Sequence, residues 1–506
     1  MLNNNINESF DSPQFKDLLK AYEDMIKNGK YIYLESEDLI MIAEYYSGKQ
    51  NAEASTNAIK YALKLHPDNG ELKIYHAQIM TAHGKFAEAM EILNSIPEQD
   101  DREVVFTKAT IALRMDKMDT ATKLLEKIAF EEDYSVEVLT DVANVYLDEG
   151  FHDKAYTWLQ KAYEVNPDYR DLKTALISYY VDKKAYDKVV VILNNMIEDE
   201  PYNIDLWIDL TRIYITQNDI EKAAEAIEFA LAIDKQDTSA REIKAYILLQ
   251  QNEPKTSVEI IEQLRKEKRV SPHGMQILLQ SYMQMNRFED AVACSGIMMK
   301  ETDVADYEIA MYGSIRAYCN LMLGNYSECR KDIETVLKAD KEYPNIYTVM
   351  GELALIDEKV NEAKKHFAYA EFYAMEAGEI ENSIAMAFFR QGYLADALQV
   401  FKKMDFDHPE EMKKNYYFMA CASFFGHGSL EDTKRALVKG AYYMPYFTEL
   451  AVQLEDSENP EEREFYRLAV EARELVESHG DLPLPLLLGD YIDEDEDDEI
   501  LDPNNI

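Results

Sequence analysis

Apolar residues recur along most of the chain at the three- and four-residue spacing of a helix with one buried face. Leu139, Val142, Ala143 and Tyr146 lie at i, i+3, i+4 and i+7, so they share one helical face. Such stretches run for about a dozen residues and alternate with short turns, whereas no strand pattern of useful length is present. The pattern predicts an all-α chain of short amphipathic helices.

The predicted helices recur in pairs within a frame of 34 residues. The units in this frame begin at Ser36, Gly70, Arg102, Val136, Arg170, Ile204, Thr238, Pro272, Ala310, Pro344, Gly378 and Lys414, with short phase corrections at 102, 310 and 414. In the unit from Val136, Gly150 lies at the turn between the two helices, where a left-handed conformation disfavours a side chain. About twelve units therefore account for residues 36 to 447.

These units resemble the tetratricopeptide repeat family. The unit from Ile204 carries apolar and small residues at the family's consensus places, namely Trp207, Leu210, Tyr214, Ala223, Ile227 and Ala230, whereas Thr211 and Lys235 depart from the consensus. The unit from Lys414 carries Tyr417, Ala420, Cys421, Phe424, Gly428, Leu437 and Pro445. The units from Arg102 and Thr238 are degenerate. The resemblance implies a right-handed α-solenoid, a superhelix of about twelve TPR-like helix-turn-helix repeats with capping helices.

The chain divides into four segments on this basis. They are an N-terminal segment and capping helix at 1–35, the TPR-like solenoid at 36–447, C-terminal capping helices at 448–480, and an acidic tail at 481–506 that we expect to be disordered. Ser12 and Asn459 are predicted to cap the first and last helices, and Gly29 and Gly480 to end them. The tail begins with the apolar sequence LPLPLLLGDY, which we expect to dock into the groove of its own or a neighbouring molecule.

The charge of the chain excludes several classes of partner. Lys and Arg number 53 against 96 Asp and Glu, which gives a net charge of −43. Nucleic acid and anionic membranes bind basic surfaces, so neither is expected as a partner. The polar N-terminal stretch lacks the pattern of a signal peptide, and no apolar run reaches the length of a membrane span. We therefore expect a cytoplasmic location.

The sequence contains no motif that carries catalysis. HExxH, GxSxG, a phosphate loop and a GxGxxG after a strand are all absent, the nine histidines are scattered, and the four cysteines form no CxxC pair. We therefore predict no catalytic, cofactor or metal site and no enzymatic activity. Cys329 and Cys421 fall on small-residue places of their repeats, which predicts tight packing, and Trp158 and Trp207 are predicted to lie in the core.

The resemblance also implies a concave groove lined by the first helix of each pair, at the second, fifth, ninth, twelfth and thirteenth places of a unit. These places give the predicted partner-binding residues Asn144, Ser178, Asp182, Arg212, Tyr246, Gln280, Met311, Tyr318, Met322, Phe389, Phe418 and Phe425, together with Thr140, Asp148, Asp171, Thr174, Asp205, Ile208, His273, Gln276 and Ser314. The set changes from polar and acidic to aromatic and methionine-rich toward the C-terminal third, which suits the binding of a peptide or helix. The alternative is that these side chains pack inside the repeats.

Two functions remain open from the sequence. The first is a non-enzymatic scaffold or adaptor that binds peptides or helices of other proteins in the groove. The second is an acidic chaperone that shields a basic client through its tail and acidic surface, which predicts binding that weakens strongly with salt. A catalytic site embedded in the repeats is a third and weaker alternative.

Overall fold

The computed structural model describes residues 10, 12–28, 32–49, 51–300, 304–375, 377–444, 447–479, 482–485 and 487–488. Every regular element in these ranges is helical, including two short 3-10 helices at Phe447–Leu450 and Val452–Leu454. The α-helices are α1 (Pro13–Asn28), α2 (Ser36–Gly48), α3 (Ala52–Leu65), α4 (Gly70–Ala82), α5 (Phe86–Asn94), α6 (Arg102–Arg114), α7 (Met118–Glu131), α8 (Val136–Asp148), α9 (His152–Val165), α10 (Arg170–Asp182), α11 (Tyr186–Asp199), α12 (Ile204–Thr216), α13 (Ile220–Ile233), α14 (Thr238–Gln250), α15 (Pro254–Lys266), α16 (Pro272–Gln284), α17 (Phe288–Met298), α18 (Asp306–Met322), α19 (Tyr326–Ala339), α20 (Pro344–Ile356), α21 (Val360–Tyr373), α22 (Ala377–Arg390), α23 (Leu394–Asp407), α24 (Pro409–Met412), α25 (Tyr416–Phe425), α26 (Leu430–Tyr443) and α27 (Pro460–Ser478).

The all-α architecture of paired helices is confirmed, and most first helices begin where the 34-residue frame places them. The helices α6, α8, α10 and α12 begin at Arg102, Val136, Arg170 and Ile204. The helix α18 is an exception, because it begins at Asp306 rather than Ala310. There the Glu308 carboxylate accepts a hydrogen bond from the Ala305 N–H at 3.0 Å, which stabilises an additional N-terminal turn.

The turn between the two helices of a pair contains one left-handed residue. Gly150 has a φ of 78°, as predicted, and the N–H groups of Gly150 and Phe151 bond back to the carbonyls of Leu147 and Tyr146 at 2.9 and 2.8 Å. Several other turns place a side chain in this conformation, at Asp116, Lys184, Asn218, Asn252, Asn286, Glu358 and His427. The turn geometry therefore repeats even where glycine does not.

The described residues form two compact units, and unit 1 ends at Ala240. Its core consists of clusters that each join consecutive helices. In the cluster around α8, Ala143 and Ala155 are fully buried and let the paired helices approach closely. Tyr146 is fully buried beside them, and its hydroxyl lies 3.2 Å from the hydroxyl of Thr122. Trp158 is buried as predicted, so large and small residues interdigitate.

Unit 2 begins at Arg241 and packs aromatic rings directly against glycines of neighbouring helices. A Cβ at Gly351 would lie 2.2 Å from the Phe367 ring, which is itself 4% exposed. Cys329 and Cys421 are buried as predicted, and burial raises the pKa of each thiol to about 12. The thiols therefore remain protonated at neutral pH and act as small apolar groups.

The predicted caps are present at both ends of the helical array. The Ser12 hydroxyl accepts the N–H of Phe15 at 3.2 Å, and the Asn459 side chain accepts the N–H of Glu461 at 3.0 Å. The predicted helix ends at Gly29 and Gly480, and residues 489–506 of the acidic tail, lie outside the described residues.

Part of the apolar LPLPLLLGDY segment packs onto its own chain. Leu487 is fully buried in the core cluster that also contains Phe465 of α27, and Leu482, Leu484 and Leu488 pack against the same cluster. The segment therefore extends the core of unit 2 beyond its last helix. No helix in the described ranges combines the length and the apolar composition that crossing a bilayer requires.

Candidate functional site

The first helices of three consecutive repeats in unit 1, α4, α6 and α8, enclose a cleft of about 360 Å³. Its lining consists of Gln78, Thr81, Ala82, Glu103, Phe106, Thr107, Thr110, Arg114, Asp141, Asn144, Val145, Asp148 and Glu149. Polar side chains dominate this set, and the buried ring of Phe106 supplies an apolar surface. The cleft is thus a polar concavity rather than part of the core.

The 34-residue frame explains why these side chains meet. Thr110 and Asn144 both occupy the ninth place of their units, one frame apart, so they project from the same side of neighbouring helices. Gln78 on α4 reaches the hydroxyl of Thr107 on α6 at 3.5 Å, which links the first two helices. Asn144 and Asp148, both predicted from the sequence as groove residues, lie in this lining.

Three carboxylates in the cleft are poorly compensated. Burial raises the pKa of Glu103 and of Asp148, and neighbouring carboxylates raise both further, whereas Arg102 and Arg114 offset only part of this effect. Each side chain remains accessible, yet the surrounding concavity excludes part of the water that would stabilise a charged group. Burial also raises the pKa of Asp141, although Arg102 donates to it at 2.9 Å.

The cleft contains one cationic side chain, and that group is already engaged. The guanidinium of Arg114 pairs with Glu149 at 2.8 Å and donates to the carbonyl of Thr81 at 3.3 Å. Within the described ranges, neither Glu103 nor Asp148 forms an ion pair. The cleft therefore carries an excess of carboxylates over cationic side chains in a partly desolvated site.

The other predicted residues of unit 1 lie outside the cleft. Ser178 and Asp182 are exposed on α10, and Arg212 on α12 donates to Asp209 at 3.4 Å. The assignment of Thr140 and Ile208 to the groove is wrong, because these side chains are 0% and 2% exposed. The fifth place faces the core in these two units, and the assignment of Ser314 in unit 2 is wrong for the same reason, because Ser314 is 4% exposed.

In unit 2 most of the predicted residues are half-buried and contact other rings. Tyr246, Met311, Tyr318, Met322, Phe389, Phe418 and Phe425 are half-buried, and Gln280 is exposed. The Phe389 and Phe418 rings lie 5.4 Å apart edge to face, and Phe425 lies 5.3 Å from Phe465 of α27. These residues form an aromatic row on the first helices, which the C-terminal helix joins at its end.

An ion pair with a buried carboxylate and a partly exposed guanidinium lies on the first helices of unit 2 and was missed by the sequence analysis. Glu352 is 2% exposed and accepts two hydrogen bonds from Arg390, at 2.9 and 2.7 Å, and a third from Gln391 at 3.1 Å. The guanidinium also lies 5.7 Å from the centre of the Tyr318 ring. The sequence does contain a signal for this ion pair, because Glu352 is at the ninth place of its unit and Arg390 is at the thirteenth place of the next unit.

Comparison with solved structures gives distant similarities only. A tetratricopeptide repeat protein from Parabacteroides merdae is 17% identical over 49% of this chain and 98% of its own, with a TM-score of 0.31. The Cut9–Hcn1 hetero-tetramer of the APC/C is 10% identical over 82% of this chain and 95% of its own, with a TM-score of 0.37. The Naa15/Naa10 complex bound to HypK-THB is 13% identical over 90% and 77%, with a TM-score of 0.31.

Family models are more specific. A tetratricopeptide repeat model matches residues 48–106 and again 180–247, and a PPR repeat model matches 382–407. No curated protein matches the chain. In the described ranges no cluster of three His, Cys, Asp or Glu side chains is arranged to hold a metal ion. Two separate stretches match the same model and the helix pairs recur at 34 residues, so the chain is a multi-repeat protein that contains tetratricopeptide repeats.

Proposed function

We propose that this chain is a non-enzymatic scaffold whose cleft in unit 1 binds a lysine- or arginine-rich segment of a partner protein. Tetratricopeptide repeat proteins generally mediate protein–protein interactions. The observation that supports the specific proposal is the excess of carboxylates in the cleft, of which Glu103 and Asp148 form no ion pair in the described ranges. The proposal retains the cytoplasmic location expected from the sequence.

A basic segment fits the cleft for two physical reasons. An incoming ammonium or guanidinium group would pair with carboxylates that are already partly desolvated, so little additional water must be removed from them. The polar side chains of Thr110 and Asn144 offer hydrogen bonds beside these charges, and Phe106 offers a surface to the alkyl part of a lysine or arginine. Charge and shape therefore favour the same class of ligand.

The proposal is tested with a short fluorescent oligolysine peptide and the full chain, by fluorescence anisotropy. The variant Glu103→Gln/Asp148→Asn retains the shape of the cleft and removes two charges, and we expect it to bind about tenfold more weakly. The matched control is Glu164→Gln/Glu198→Gln, which removes two exposed charges from the outer helices α9 and α11. Equal binding by both variants would show that overall charge, not the cleft, attracts the peptide.

The acidic chaperone is a second candidate, because ten acidic residues and no Lys or Arg lie in 481–506. Both candidates predict salt-sensitive binding, so salt alone does not separate them. A chain ending at Leu488 retains the buried Leu487 and lacks most of the acidic tail. Binding that survives this truncation and is lost in the cleft variant supports the scaffold, and the opposite result supports the chaperone.

A further inference from the structure

The second helices of neighbouring repeats in unit 2 carry exposed aromatic side chains at equivalent places. Phe372 lies one residue before the end of α21 and Phe406 one residue before the end of α23, and they are 78% and 88% exposed. Tyr369 is 51% exposed, Met375 is fully exposed, and Tyr442 of α26 is 38% exposed. We name these five residues the aromatic ridge. Exposed rings on successive repeats differ from the scattered surface apolar residues of most proteins.

Ion pairs next to the rings show that the ridge is continuous. Glu371, beside Phe372, pairs with Lys403 of α23 at 3.1 Å. Asp405, beside Phe406, pairs with Lys439 of α26 at 2.7 Å. The three helices therefore lie side by side with their C-terminal turns aligned, and the rings occupy one row.

The ridge lies on a face without net charge. The four helices α19, α21, α23 and α26 together contain ten acidic and ten basic residues, although the whole chain carries −43. In unit 1, by contrast, the six second helices α3, α5, α7, α9, α11 and α13 together contain fourteen acidic and eight basic residues. A neutral face offers no charge complementarity to a basic partner. Two copies that meet through such a face also avoid the electrostatic repulsion that the acidic remainder of the chain would cause.

The exposed apolar area of the ridge is close to the area that each partner buries in a stable dimer. With a full side-chain area of about 200 Å² each, the exposed fractions of the five residues give roughly 700 Å². A stable interface buries about 800 Å² on each partner, and the ion-paired side chains around the ridge supply a polar rim.

We propose that the aromatic ridge is a self-association surface, on which two copies of this chain pair ridge against ridge about a twofold axis. A row of rings is self-complementary in this arrangement, because rings of one copy can insert edge to face between those of the other. The proposal is independent of the ligand in the unit 1 cleft, since no residue is shared between the two surfaces.

Sedimentation equilibrium of the full chain over about 1 to 100 μM, at low and high salt, tests the proposal. We expect the mass of two chains, with a dimer that persists at high salt because the contact is apolar and neutral. The variant Phe372→Ser/Phe406→Ser should raise the dimer dissociation constant at least tenfold. Both residues are largely exposed, so folding should be retained, and the helical circular dichroism verifies this.

The matched control is Phe130→Ser/Tyr202→Ser, which removes two aromatic side chains of unit 1 that are 68% and 84% exposed. This control should dimerise as the wild type does. A wild-type chain that remains monomeric throughout the concentration range would overturn the proposal and leave the ridge to a partner of different sequence. A ridge variant that dimerises as tightly as the wild type would overturn it as well.

Discussion

Carboxylates occupy the first helices of both units, but their surroundings differ. In unit 1, Glu103 and Asp148 line a cleft and form no ion pair within the described residues, and burial raises the pKa of each. In unit 2, Glu352 is almost completely buried and receives the guanidinium of Arg390 and the amide of Gln391. The same repeat frame thus leaves one set of carboxylates without an ion pair and neutralises another inside the fold.

The difference shows what a repeat frame determines. The frame fixes the direction in which a side chain projects, because each place recurs on every first helix. The neighbouring repeat then decides whether a charge at that place becomes part of the structure or remains available for binding. Function in such a protein is therefore encoded between adjacent repeats rather than within one.

The largest expected effect comes from removing Arg390. The variant Arg390→Ala leaves the Glu352 carboxylate buried without its guanidinium, and we expect a loss of about 3 kcal/mol in local stability. Hydrogen–deuterium exchange of α20 and α22 measures this loss at the affected helices. The double variant Glu352→Gln/Arg390→Ala removes the uncompensated charge and should recover a large part of it. No recovery would show that packing by the arginine, not its charge, matters.

A smaller loss is expected where unit 2 packs a ring against a helix backbone. The variant Gly351→Ala places a methyl group against the Phe367 ring and should destabilise the protein by about 1–3 kcal/mol. The control is Gly48→Ala in unit 1, where a Cβ meets nothing within 4 Å, and we expect a change within about 0.5 kcal/mol. Thermal unfolding compares the two variants. Equal melting temperatures would mean that Phe367 shifts without cost.

The smallest expected effect on stability comes from the cleft carboxylates, and here the substitution should stabilise the protein rather than destabilise it. A carboxyl whose pKa is raised in the folded state binds protons more tightly folded than unfolded, so its charge destabilises the protein at neutral pH. This cost disappears as the pH falls through the folded-state pKa toward the unfolded values of about 4. The variant Glu103→Gln/Asp148→Asn should therefore melt slightly higher at pH 7, by at most about 2 °C, and equally near pH 4.

The same outer-helix control, Glu164→Gln/Glu198→Gln, applies to this measurement. Both of its carboxylates are exposed on helices α9 and α11, so the melting temperature of this control relative to wild type should not follow that pH dependence. A cleft variant that melts lower than wild type at pH 7 would contradict the assignment of these carboxylates as uncompensated charges.

The sequence predicts the helix pairs well because one period controls both local structure and burial. Leu139, Val142 and Tyr146 face the core because their spacing matches the helical repeat. The helix caps at Ser12 and Asn459 were equally predictable from the sequence, since each depends on a backbone N–H only two or three residues away. Interactions that are local in sequence are read directly from it.

The parts of the site that depend on adjacent repeats were harder to predict. The Glu352–Arg390 pair joins residues on two separate first helices, so its formation depends on how closely those helices approach. The cleft residues Glu103 and Asp141 were missed for another reason, because the unit from Arg102 is degenerate and the sixth place was not among the expected groove positions. The repeat frame predicts the direction in which a side chain projects, but it does not predict which side chains of the adjacent repeat lie next to it.

The clusters of consecutive helices that form each core also bear on how the chain folds. Because each cluster in unit 1 draws on helices that are adjacent in the sequence, its contacts span short chain separations and the contact order is low. Loop closure then costs little entropy, and several helix pairs can serve as nuclei. During synthesis, early repeats can fold before later ones leave the ribosome, which limits the time that their apolar faces are open to aggregation.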